Sequence, residues 1–145
     1  MKIIRWLILP ALLLAAACDT VVTEEGTPLE PGTYALVSID GAPLPAPEPC
    51  SSLRIEEERI TVGAIRNVEY YQRTTRPPTR EVLTVSAAGS YSTTFDGRVY
   101  LNLKLTGTGA SEAFTPVLQR TAQGLTQVVG QPCDGQSVKL YQLQR

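Results

Sequence analysis

From residue 32 onward the chain alternates. In RVYLNLKLTG, 98–107, Val99, Leu101, Leu103 and Leu105 share one side, while Arg98, Tyr100, Asn102 and Lys104 take the other. A period of two is the mark of a half-buried strand. No helical stripe of useful length follows the first twenty residues. TYALVSI, 33–39, predicts a first strand. LRIEEERITVGAI, 53–65, offers Ile55, Ile60, Val62 and Ala64 to a core. Its EEER centre reads as a solvated turn between two strands, or as the wet part of one bent strand on which Glu56 and Glu58 share a face. NVEYYQR, 67–73, puts Val68 and Tyr70 on one face and Tyr71 on the other.

Glycine and proline punctuate these runs. Pro43, Pro45, Pro47 and Pro49 forbid a regular ladder, so 40–50 reads as a long loop ending on Cys50. Pro77 and Pro78 turn the chain after 73. EVLTVSA, 81–87, and SYSTTF, 90–95, read as two strands turning at Ala88-Gly89. Asp96-Gly97 is the clearest hairpin signal and suits a type I′ turn. AFTPVLQRT, 113–121, and GLTQVVG, 124–130, form a further hairpin around Ala122-Gln123-Gly124, and SVKLYQLQR, 137–145, closes the chain. The expectation is all-β. An antiparallel meander leaves two exposed edges, and closing it into a barrel of about eight strands, last strand on first, removes them. A two-sheet β-sandwich is the alternative.

The N-terminus has a different pattern. Lys2 and Arg5 precede an uncharged apolar run over 6–17, interrupted only by Pro10. That is the order of a secretory signal, and it is shorter than the roughly 20 residues of a transmembrane helix. Ala15, Ala16 and Ala17 then lead to Cys18. A cysteine directly after small residues resembles the lipobox of bacterial lipoproteins, although Ala15 stands where leucine is commoner. The resemblance implies cleavage before Cys18, diacylglycerol on its thiol and acylation of the new amino group. It divides the chain into a signal peptide, 1–17, a lipidated N-terminus and flexible tether, 18–31, and a β-barrel domain, 32–145. It implies a protein of the bacterial cell envelope, held to a membrane and facing the periplasm or exterior. In that oxidising setting Cys50 and Cys133 are expected to pair as a disulfide.

GTYALVSIDGAPLP, 32–45, resembles the opening of small secreted bacterial proteins with a lipocalin-like barrel, through Gly32, Tyr34, Leu36, Gly41, Leu44 and Pro45. TVSAAGSYSTTFDG is similar to a strand pair of the same group. The resemblance implies a fold and no named ligand, and the Gly-x-Trp opening of typical lipocalins is missing.

Composition narrows the chemistry. The chain has no histidine, which excludes Ser-His-Asp and Cys-His pairs and imidazole metal sites. A formal net charge of −1, more acidic once Lys2 and Arg5 are removed, gives no footprint for nucleic acid. No catalytic residue, cofactor or metal is predicted. Arg66, Arg73, Arg76 and Arg80 lie near Tyr70 and Tyr71, a combination able to grip an anion. Tyr70, Tyr71, Arg73 and Arg76 are therefore the candidate recognition surface. The function predicted is a non-enzymatic envelope lipoprotein with a structural or protein-interaction role. The alternative is a module holding a small apolar ligand inside the barrel.

Overall fold

The computed structural model describes residues 25–107, 112–130 and 135–145. Its strands are β1 (Gly32–Ile39), β2 (Ala42–Pro43), β3 (Ala46–Pro47), β4 (Arg54–Val62), β5 (Asn67–Arg76), β6 (Glu81–Thr93), β7 (Arg98–Leu105), β8 (Ala113–Phe114), β9 (Val117–Thr121), β10 (Gly124–Gly130) and β11 (Gln136–Leu143). The pairing runs β1-β11-β10-β9-β7-β6-β5-β4 and returns to β1, so eight antiparallel strands close a barrel. β2, β3 and β8 are short additions on β1, β4 and β7. A ring of paired strands has no sheet edge to protect, and it replaces the sandwich alternative.

Alternation places the core. Val99, Leu101 and Leu103 are at most 1 % exposed and face Ile60, Val68, Leu118, Leu125 and Tyr141 inside the barrel. Two irregularities reset the phase. In β1 the register shifts between Leu36 and Ser38, so Leu36 and Ile39 both point inward. In β4 it shifts between Ile55 and Glu57. Such a bulge adds one residue to one strand and carries everything after it to the opposite face. Ile55, Glu58, Ile60 and Val62 consequently face the interior.

Several expectations are corrected. The EEER stretch is neither a turn nor wet throughout: it is continuous strand, and Glu58 is 1 % exposed while Glu56 is not on its face. Ala64 lies exposed in the turn after β4. Residues 81–93 are one strand, without a turn at Ala88-Gly89. Gly89 is needed there because β7 passes close, and a Cβ at this position would lie 1.8 Å from the Asn102 carbonyl oxygen. The turn at Asp96-Gly97 is not type I′, since only Gly97 takes positive φ, at 82°. Instead Gly97 N–H donates to the Thr94 carbonyl at 3.0 Å, and Gly97 forms the left-handed residue that rejoins β7.

Cys50 is disulfide-bonded, and Cys133, the partner expected from sequence, lies outside the described residues. The contacts that close the described barrel are backbone pairs, β1 with β11 on one side and with β4 on the other. Cys18 and the signal segment also lie outside the described residues.

Residues 25–31, read from sequence as tether, are packed on the barrel. Leu29 is 4 % exposed, and its N–H donates to the Tyr91 hydroxyl at 3.2 Å. Gly26 N–H donates to the Thr93 carbonyl at 3.0 Å, and Thr93 Oγ1 returns a bond to the Gly26 carbonyl at 2.8 Å. Arg120 donates to the carbonyls of Thr27 and Pro28 at 2.7 and 3.0 Å. Arg66 grips Glu25 with two bonds, at 3.1 and 2.9 Å. The segment thus straps across the end of the barrel where β5 begins and β6 ends.

Candidate functional site

The barrel interior is not wholly apolar. The β4 bulge delivers Glu58, and β11 contributes Lys139 and Tyr141 on alternate positions. Lys139 Nζ donates to Glu58 Oε2 at 2.7 Å, and the Tyr141 hydroxyl donates to Glu58 Oε1 at 2.5 Å. From β5, Gln72 Nε2 donates to Glu58 Oε2 at 3.2 Å and to Glu48 Oε1 at 3.1 Å. The pair is almost fully buried, with side-chain exposures of 8 % for Lys139 and 1 % for Glu58. Desolvating two charges is compensated only if each finds good partners. Here no buried side-chain nitrogen or oxygen among the described residues lacks one.

Tyrosines complete the cluster. Burial, reinforced by the Glu58 charge, pushes the Tyr141 phenol well above its ordinary pKa. The same causes, with a smaller push from Glu48, raise Tyr70 strongly. Both phenols are therefore neutral donors over the whole physiological range. Gln127 Oε1 lies 3.1 Å from the Tyr141 hydroxyl. That hydroxyl has one proton, which Glu58 takes at the shorter distance, so Gln127 serves it best with its amide nitrogen turned toward the oxygen.

Beside this cluster is a cavity of about 130 Å³, bordered by Glu58, Tyr70, Phe114, Gln127, Lys139 and Tyr141. Phe114 packs edge-on against Tyr70, with ring centroids 5.8 Å apart. The Glu58 carboxylate accepts from both the Lys139 ammonium and the Tyr141 phenol at the edge of this cavity. Among the described residues no cluster of His, Cys, Asp or Glu could hold a metal ion.

The recognition set read from sequence is divided by the wall of the barrel. Tyr70 faces inward. Tyr71 faces out and carries the Arg59 guanidinium 4.2 Å above its ring. Arg73 is also outside, 3.8 Å from Glu57, which Arg59 contacts as well. Arg76 is tied to Glu81 at 2.8 Å across the turn. Arg73 nevertheless contributes to a groove of about 500 Å³ on the outer wall, together with Arg54, Glu56, Thr75, Pro77 and Arg80. Thr75 Oγ1 engages Glu56 at 2.7 Å and Arg54 donates to the Pro45 carbonyl at 2.9 Å. Three guanidinium groups against one carboxylate make the groove electropositive.

Glu58, Gln72, Gln127, Lys139 and Tyr141 were absent from the sequence-derived site. One signal was available: Gln72 and Thr74 follow Val68 and Tyr70 on the same face of β5, so that face becomes polar toward one end. No family model, no curated protein and no solved structure matches the chain.

Proposed function

We propose that this protein is a lipid-anchored, non-enzymatic domain of the bacterial cell envelope whose working part is its outer surface. The observation that carries the reading is the filled interior. Pockets that hold small molecules enclose roughly 300–1,000 Å³, whereas the internal cavity here is about 130 Å³ and is bordered by a self-satisfied ion pair. An apolar guest would have to pack against Glu58 and Lys139, at a desolvation cost it could not offset. This speaks against the alternative of a small apolar ligand held in the barrel. The anchor is Cys18, from the basic, apolar and small-residue order that precedes it.

The surface best suited to recognition is the arginine groove of Arg54, Arg73 and Arg80. It lies at the β5–β6 turn, the opposite end of the barrel from the strap of residues 25–31. A chain anchored through its N-terminus would turn this groove away from the membrane, toward an acidic partner. Cys18→Ser is expected to shift the protein from the membrane fraction to the soluble one. Unchanged membrane retention would refute the anchor. Crosslinking in native membranes should yield a partner with the wild-type chain and lose it with Arg54→Ala/Arg73→Ala/Arg80→Ala, whose stability should match wild type.

A further inference from the structure

The strapped end of the barrel carries two of its most exposed apolar side chains. Ile65, in the turn between β4 and β5, is 88 % exposed. Phe95, in the turn between β6 and β7, is 84 % exposed. Single exposed apolar residues are ordinary on any protein. These two stand together at one end: β5 and β6 are neighbours, so the two turns are separated by about two strand spacings, roughly 10 Å. Between them sits Glu25, held by Arg66 on the Ile65 side and bridged to Thr94 on the Phe95 side. Glu25 is where the chain from Cys18 arrives.

We infer that this end of the barrel docks on the lipid bilayer, with Ile65 and Phe95 entering the boundary between headgroups and acyl chains. The inference rests on the Cys18 anchor proposed above. Only residues 19–24 separate that cysteine from Glu25, and a fully extended chain of this length reaches at most about 24 Å. A lipidated Cys18 therefore confines both turns to the immediate neighbourhood of the membrane. Charge at this end is largely balanced. Glu25 is paired with Arg66 and Asp96 with Arg98, while the exposed Glu30 shares a groove with Arg120 and Arg145. Two apolar tips beside a lipid tether give a second, reversible attachment, which adds to the acyl chains and fixes orientation. The docked molecule stands on its turns, with the arginine groove uppermost.

The test uses the full chain, expressed in a bacterial host, purified with its native modification and reconstituted into vesicles of phosphatidylethanolamine and phosphatidylglycerol. Trp6, the sole tryptophan, lies in the segment expected to be cleaved. Ile65→Trp and Phe95→Trp then act as single reporters, with Val128→Trp, on the outer wall of β10, as the reference. Docking predicts blue-shifted emission for the two turn reporters, and quenching by bromine-labelled acyl chains at least about twofold stronger than for the reference. Intact mass reads the anchor separately. Acylated protein whose turn reporters emit as in water overturns docking and leaves the anchor standing. A blue shift without bromine quenching assigns the turns to a protein contact and also overturns it. An unmodified Cys18 overturns the anchor and the docking together.

Discussion

At the scale of single residues, the Glu58/Lys139 pair is the feature most sensitive to change. Removing one member of a buried pair leaves the other charge uncompensated and costs about 3–5 kcal/mol, whereas replacing both by apolar side chains is often close to neutral. Lys139→Met is therefore expected to lower the unfolding free energy by about that amount in urea titration, and Glu58→Leu/Lys139→Met to recover most of it. A double variant as unstable as the single one would show that the pair is not the cause. The tyrosines add a pH dependence of defined sign. Tyr141 and Tyr70 have raised pKa values in the folded barrel, while in the unfolded chain they titrate near 10. Above that pH the folded state binds more protons than the unfolded one, so stability falls as pH rises. The slope is about 1.4 kcal/mol per pH unit for each phenol, and below pH 10 their contribution is constant. Near-ultraviolet absorbance should show these two tyrosines ionising only as the barrel unfolds. Smooth titration near pH 10 in the folded protein would contradict the burial argument.

At the scale of elements, legibility in the sequence followed the hydrophobic pattern. Val99, Leu101 and Leu103 announced β7, and the barrel was foreseeable because a meander has edges to hide. The interior cluster was not legible, because it depends on the β4 bulge. Were β4 to run regularly through Glu56, Ile55 would share a face with Glu57 and Arg59, and Glu58 would lie outside. No propensity marks that residue, and three consecutive glutamates look alike in sequence. β11 hides its direction for a similar reason: Val138 and Leu140 lie on the outer face while Lys139 points inward, because Lys139 has Glu58 to meet. In β6 the small residues around Gly89 imitate a turn, although the glycine is there for close approach of β7. Deleting Glu56 should leave a regular ladder, Ile55 opposite Thr74 and Glu57 opposite Arg73, with Glu58 still inward and Arg59 still outside. The expected outcome is retained cooperative thermal unfolding by circular dichroism. Loss of the cooperative melt would show that the bulge itself is needed to seat Glu58.

At the scale of the whole molecule, the strap and the closing strand decide how the barrel is held. Leu29 plugs one mouth, and its backbone neighbours tie the β5, β6 and β9 ends together. Leu29→Ala is expected to cost about 2–4 kcal/mol in chemical denaturation, as for other large-to-small changes at buried sites. A loss below about 1 kcal/mol would mean that the strap only rests on the barrel. β11 has a different importance. It is the last of the described strands, yet it lies between β1 and β10 and supplies both Lys139 and Tyr141 to the interior. While the chain is being synthesised, β1 waits without β11, and Glu58 has neither counter-ion nor phenol. The ring cannot close until residue 143 is free. Making the earlier strands is thereby separated in time from sealing them, and whatever handles the young polypeptide meets it open.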